Sequence, residues 1–393
     1  MKTRYQVVII GAGPAGCYAA LTAARGGLEV LLVERDAEIG KPLCCAEGVS
    51  HIGLSNFVEP KEEFISQSID GLELIISSGK TAVFRPGGIM GYVLDRYRFE
   101  NYLADSAVAL GVDLHKKTYA SDIKIDSGKP AVVTLQSEDG STDVTSDFVI
   151  ACDGVESLIG RKIGVDTGLR LKQCETAMQY RVSGINCDSR LLRFYVGPRY
   201  SPNGYLWVFP KSDTVANIGV GLNPGEADHA QLRELLDRFI HDYFPNGKIE
   251  FEGCGCVPKF IGFEILGREN VLLAGDAART IDSLSGAGIA RALHTGKLAA
   301  ESCIEAVKKN LSREKLQERY RKQVDKEIGR DMRILQKAYP IIRKFTEGDW
   351  DALADFLNSY LKNKTAESVD PAALIKSALT TAPGLIRLAR HVF

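Results

Sequence analysis

The chain has 393 residues, 45% hydrophobic and 25% charged, with 49 basic against 50 acidic side chains for a net charge of −1. Such values exclude disordered and collagen-like classes, allow a large buried core, and argue against a nucleic-acid binder of general basic character. No apolar stretch approaches the length of a membrane-spanning helix, and the Met1-Lys-Thr-Arg-Tyr5 start has no signal core, so a cytoplasmic protein with reduced cysteines is expected.

Gln6-Val-Val-Ile-Ile10 reads as a buried parallel strand. Gly11-Ala-Gly13-Pro-Ala15-Gly16 follows at once, then a small, apolar helix from Cys17 to Arg25 stopped by Gly26-Gly27. A second strand, Glu29–Val33, ends in Glu34. Each residue type has a physical task. Gly11 permits a tight turn, Gly13 lets the backbone approach a pyrophosphate, and Gly16 lets helix and strand pack closely. The free N–H groups at the helix start favour an anion. Glu34 stands where a carboxylate can bond a ribose hydroxyl, and it would repel a 2′-phosphate. These elements together predict a dinucleotide site for an unphosphorylated ribose.

Further along, Gly40-Lys-Pro-Leu-Cys44-Cys45-Ala46-Glu47-Gly48 forms a loop after the second strand, and Arg96 opens a helix. Asp147-Phe-Val-Ile-Ala-Cys-Asp153-Gly154 is a buried strand ending in Asp-Gly, with Ser157 and Arg161 beyond it. In Ser201-Pro-Asn-Gly-Tyr205-Leu-Trp207-Val-Phe209-Pro210, the period of two puts three aromatics on one strand face. By composition alone that face suits either a sheet core or an apolar cavity wall. Cys254-Gly-Cys256-Val-Pro258 precedes a buried strand that ends in Gly275-Asp276, and Ser285-Gly286-Ala287-Gly288-Ile289 opens a long helix reaching about Lys309. An Asp after a strand can hold a ribitol hydroxyl, and a glycine-rich helix start can offer N–H groups to a flavin's pyrimidine edge. A nicotinamide enzyme needs neither, so the expected cofactor is FAD. The cysteine and histidine spacings suggest no metal site.

These motifs resemble the flavoprotein hydroxylase superfamily, and within it the geranylgeranyl reductase family. The stretch P-x-x-Y-x-W-x-F-P at 202–210 fits that family's pattern in full, and Cys45-Ala46-Glu47-Gly48 resembles its C-A-E-G segment. The resemblance implies a glutathione-reductase-type FAD-binding domain (1–70, 90–170 and 265–310). It also implies an inserted antiparallel β-sheet substrate domain (71–89 and 171–264) and a helical C-terminal region (311–393). Carried over by motif, Gly11, Gly13, Ala15, Gly16, Glu34, Arg35, Cys45, Ala46, Arg96, Asp153, Gly275, Asp276, Gly286, Ala287, Gly288 and Ile289 would contact FAD. Tyr205, Trp207 and Phe209 would line the substrate cavity. Ser283 and Ala287 depart from the family's usual residues beside the flavin.

The implied reaction is saturation of C=C bonds in a geranylgeranyl or other polyprenyl group, with Cys45, Tyr205 or a held water as the proton source and NAD(P)H or ferredoxin as electron donor. Free diphosphate, ether lipid, chlorophyll side chain and quinone all stay open as substrates. The rival readings are an FAD-dependent aromatic monooxygenase or halogenase and a non-catalytic flavin- or lipid-binding protein. From Ala306 onward the chain carries 18 Lys and Arg against 11 Asp and Glu, and 371–393 contains no acid. Either a solvated helical surface or peripheral contact with an anionic membrane follows from that balance.

Overall fold

The computed structural model describes residues 1–223, 229–264, 266–382 and 385–386. In chain order the first part runs β1 (Arg4–Ile10), α1 (Pro14–Arg25), β2 (Val30–Val33), β3 (Gly48–Ser50), α2 (His51–Ser55), β4 (Ile65–Ile69), β5 (Gly71–Ile76), β6 (Thr81–Phe84), β7 (Gly91–Leu94), α3 (Arg96–Val108), β8 (Asp113–His115), β9 (Tyr119–Lys124), β10 (Ala131–Ser137), β11 (Gly140–Ala151) and α4 (Leu158–Lys162). The second part runs β12 (Cys174–Ser183), β13 (Leu191–Gly197), β14 (Ser201–Pro210), β15 (Val215–Leu222), α5 (His229–Tyr243), β16 (Lys248–Pro258), β17 (Gly267–Arg268), β18 (Val271–Leu273), α6 (Ile289–Lys309), α7 (Arg313–Val324), α8 (Arg330–Ile342), α9 (Glu347–Tyr360) and α10 (Pro371–Thr381).

The first sheet has the order β17-β18-β11-β1-β2-β8, with β9 and β10 continuing from β11. Its central strands pair in parallel, and Val7 to Ile10 and Val30 to Val33 are buried throughout. Strands covered on both faces need continuous apolar runs, and these two have them. A small sheet, β3-β7-β4, sends Val49, Tyr92 and Leu94 into the core of the first sheet and Ile69 and Val93 against the second.

The second sheet has the order β16-β12-β15-β14-β13-β5-β6. It was expected to be antiparallel, and every pairing is, except that β13 runs parallel to β5. Hairpin neighbours must be antiparallel, whereas β5 arrives from far earlier in the chain and is free of that constraint. One face buries Tyr180, Val208, Ile218 and Val220 under Leu232, Leu236 and Phe239 of α5. The opposite face, bearing Tyr205, Trp207 and Phe209, packs on Ile69 and Val93 toward the first half of the fold.

The C-terminal helices differ from a solvated surface. Spacing of four residues puts Leu316, Tyr320 and Val324 on one stripe of α7, and all three are buried in the core of the first sheet. The Tyr320 hydroxyl donates to the Leu273 carbonyl at 2.7 Å. α7 continues through a π-helical turn at Asp325–Gly329 into α8. α9 then lays Trp350, Ala354 and Leu357 on Ile76, Ala82 and Val196 of the second sheet. α10 packs Ala378 and Leu379 with Ala338 and Ile342 of α8. Arg387 and Arg390, part of the suggested membrane contact, lie outside the described residues. No helix among the described residues is long and apolar enough to cross a membrane.

Candidate active site

The glycine turn after β1 is dictated by close approach. Gly11 has φ +95°, and a Cβ there would stand 2.4 Å from the Cys152 carbonyl oxygen. A Cβ on Gly16 would meet the Gly11 carbonyl oxygen at 1.8 Å. At Gly13 a Cβ would meet nothing within 4 Å, so this residue faces open space. It is also the N-cap of α1 and supplies no side-chain cap, leaving the first N–H groups of the helix for an anion. Glu34, at the end of β2, accepts from the backbone N–H of Ala12 at 2.7 Å and of Asp36 at 3.0 Å. The carboxylate therefore sits against the glycine turn itself.

α6 presents a second uncapped start at Gly288. The turn before it is built by Asp282, whose carboxylate accepts from Leu284 N–H at 2.8 Å and from the Ser285 hydroxyl at 2.8 Å. Gly286 has φ +71°, and Gly286 and Ala287 are exposed, while Ile289 is buried. Gly275, at φ +63°, donates its N–H to Thr295 Oγ1 at 2.9 Å. Burial pushes the neighbouring Asp276 carboxyl up, against the opposing pull of Arg96 and Arg279. Two free helix starts, an acid at the end of β2 and open space over Gly13 fit a cofactor with a diphosphate and a ribose.

Other expected contacts have structural work of their own. The Ala15 side chain is buried, and a Cβ on Gly296 of α6 would meet its carbonyl oxygen at 2.2 Å, so Ala15 joins the two helices. Arg35 is exposed and pairs with Glu156 at 2.7 Å. One oxygen of Asp153 accepts from Ile159 N–H at 2.8 Å and starts α4. Its other oxygen is buried without a partner among the described residues, and burial pushes this carboxyl up as well.

Arg96 joins the two halves of the site. Its Nε donates to the buried Glu100 at 2.6 Å, and its guanidinium lies beside Cys45. Burial opposes its charge, yet Glu100 and Cys45 raise its pKa well above the ordinary range. The Cys45 sulfur further accepts the Glu47 N–H at 3.3 Å.

On the substrate side, Tyr205 is half-buried and makes edge contacts with Phe194 at 5.7 Å between ring centroids. Its hydroxyl donates to the Ser285 carbonyl, tying the second sheet to the turn before α6. Burial pushes the Tyr205 hydroxyl above the usual tyrosine range. Trp207 and Phe209 are buried. Trp207 lies over Gly219 of the next strand, where a Cβ would stand 2.2 Å from the indole.

Sequence reasoning placed Glu47 in the C-A-E-G segment without giving it a role, and missed Gln179, Arg181, Lys211, Asn217 and Asp282. Glu47 is 1% exposed and accepts from Arg181 at 3.2 Å, from Asn217 at 2.7 Å and from Lys211. Burial pushes the Lys211 ammonium down, while Glu47 pulls it up. A signal existed: Asn217-Ile-Gly219-Val-Gly221 and Gly253-Cys-Gly255 place polar or bare positions at a period of two, on the face opposite the apolar one.

Residues 6–161 match the FAD dependent oxidoreductase family, and residues 173–256 match the geranylgeranyl reductase catalytic domain. A digeranylgeranylglycerophospholipid reductase of Methanocella arvoryzae is 33% identical over 390 residues, covering 98% of each chain. The chain belongs to the geranylgeranyl reductase family. A second relative of the same name, from Methanosarcina acetivorans, is 37% identical over 91% of this chain and 89% of its own. A solved geranylgeranyl bacteriochlorophyll reductase-like protein from Thermoplasma acidophilum superimposes with a TM-score of 0.93 at 29% identity, covering 99% of both chains. The myxobacterial chondrochloren halogenase CndH shares the fold alone, at a TM-score of 0.73 and 17% identity over 98% of this chain and 99% of its own.

Proposed function

We propose that this FAD-dependent family member saturates the isoprenoid double bonds of a digeranylgeranylglycerophospholipid. The observation that carries the reading is the aromatic row of β14, in which half-buried Tyr205 meets the turn before α6 while Trp207 and Phe209 pack behind it as its buried support. Alkene and methyl groups offer only apolar surface, and a wall of rings suits them. Whole-length relatives that carry this substrate in their names support the choice of lipid.

Gly13 and the starts of α1 and α6 would hold the diphosphate and the flavin ring, and Glu34 the ribose. When bound and reduced, FAD supplies the hydride. Each saturated bond also takes up one proton. Cys45 is the preferred donor, because it lies beside Arg96 and its sulfur is held by the Glu47 N–H at 3.3 Å. Tyr205 is the weaker candidate: its proton is committed to the Ser285 carbonyl. The ring wall orients the alkene and excludes water. The electron donor is NAD(P)H or a ferredoxin, and the basic C-terminal region meets the anionic membrane that stores the lipid.

Incubating dithionite-reduced enzyme anaerobically with the unsaturated phospholipid should give products heavier by two hydrogens per bond. Hydroxylation or halogenation of an aromatic compound in air with NAD(P)H, and no lipid product, would refute the proposal.

A further inference from the structure

The loop carrying Cys45 lies down on the second sheet, which is bare enough to receive it. At Gly253 and Gly255 of β16, a Cβ would stand 3.2 Å from the Leu43 carbonyl oxygen and 3.2 Å from Cys44 Cβ. Over β12, the Gln179 amide donates to the Cys45 carbonyl at 2.8 Å. Over β15, Asn217 donates to the Ala46 carbonyl at 3.3 Å and to Glu47 at 2.7 Å. Over β14, the Phe209 ring packs on Gly48 so closely that a Cβ would approach it to 2.6 Å. Residues 43–48 thus cross β16, β12, β15 and β14 in spatial order, contacting each.

Glu47 anchors the crossing. It holds φ +69°, a conformation uncommon for a residue with a side chain, and its carboxylate binds the Arg96 N–H at 3.0 Å besides its three side-chain partners. A buried carboxylate between two cations is a poor source of net stability, so its use lies in fixing one geometry. In the register of the sheet, Asn217 pairs with Phe209, and Gln179 pairs with Gly219, over which the Trp207 ring lies, so the loop's partners abut the aromatic strand.

We propose that Glu47, Gln179 and Asn217 are positioning residues that fix the Cys45 thiol relative to the substrate wall. The thiol and the lipid are then referenced to one sheet, whereas the flavin is referenced to the other. This rests on the reading of Cys45 as proton donor, and the test separates the two.

The test uses FAD-loaded Glu47→Gln and Gln179→Met. The readouts are the rate of Cys45 alkylation by iodoacetamide, relative to exposed Cys254 and read by peptide mass spectrometry, and kcat and KM for the phospholipid. Displacement of a reacting group by about 1 Å costs on the order of 100-fold. The expected result is a shift of about fivefold or more in relative alkylation, with kcat lowered about 10- to 100-fold at nearly unchanged KM. If Glu47→Gln does not yield folded holoenzyme, Gln179→Met, which strands no charge, decides alone. Relative alkylation within about twofold of wild type in Gln179→Met overturns the proposal, whatever happens to kcat, because a misplaced group is the predicted cause. Full turnover by Cys45→Ser would instead remove Cys45 from the proton step and leave positioning to be judged by alkylation.

Discussion

Replacing Tyr205 by Phe separates two roles that one hydroxyl could play. The ring, with its contacts to Phe194 at 5.7 Å and Trp207 at 5.9 Å, is retained. Only the hydrogen bond to the Ser285 carbonyl is lost. A neutral hydrogen bond contributes about 0.5–1.5 kcal/mol net, and Ser285 is exposed, so water can take over its carbonyl. The turn keeps its Asp282 bonds to Leu284 N–H at 2.8 Å and the Ser285 hydroxyl at 2.8 Å. FAD affinity should therefore fall by no more than about 2- to 12-fold. A proton donor is worth about 100- to 10,000-fold in rate. Since this hydroxyl is an occupied donor with a raised pKa, kcat should stay within about tenfold of wild type. The assay is anaerobic single-turnover reoxidation of the reduced flavin by lipid, at saturating FAD, with cofactor affinity titrated on deflavinated protein. A loss beyond about 100-fold, with FAD bound, would make the Tyr205 hydroxyl the acid and refute the structural role.

Glu34→Ala should weaken FAD binding by about 1.5–3 kcal/mol, as expected for bonds to a charged group, and flavin fluorescence titration would measure it. Phe209→Ala, which empties a buried ring site over Gly48, should cost about 3–5 kcal/mol in urea unfolding. An unchanged midpoint would place that ring in open cavity. Tyr320→Phe should cost about 1–3 kcal/mol by leaving the buried Leu273 carbonyl without its donor, and it should speed proteolysis of the C-terminal helices. Binding to anionic liposomes should exceed binding to neutral ones and fall with salt, and Arg387→Gln with Arg390→Gln should weaken it by about 1 kcal/mol per charge. Equal sedimentation with both liposome types would remove the membrane contact.

The parts of the site that were legible in the sequence are those whose constraint is local. Gly11 and Gly16 announce themselves because each must clear a backbone oxygen within the same βαβ unit or beside it. Tyr205, Trp207 and Phe209 share a face because strands alternate. Their burial was not legible: whether a ring faces core or cavity depends on Gly48 and Gly219, which approach from elsewhere in the chain. The role of Glu47 was hidden for the same reason. This residue lies 134 residues from Arg181, 164 from Lys211 and 170 from Asn217, and no spacing rule reaches that far. The burial of α7 follows from the four-residue spacing of Leu316, Tyr320 and Val324, but the dense charge around that stripe fits a solvated helix equally well in the sequence.

The C-terminal helices clasp both halves at once, with α7 sunk in the core of the first sheet and α9 laid on the second. A clamshell motion would have to peel one of those contacts away. Admission of a long substrate by hinged opening of the two halves is therefore disfavoured. If more than one bond of a tail is saturated at one fixed centre, the tail itself would have to advance, isoprene unit by isoprene unit. Partly hydrogenated intermediates should then accumulate in an order set by distance along the chain.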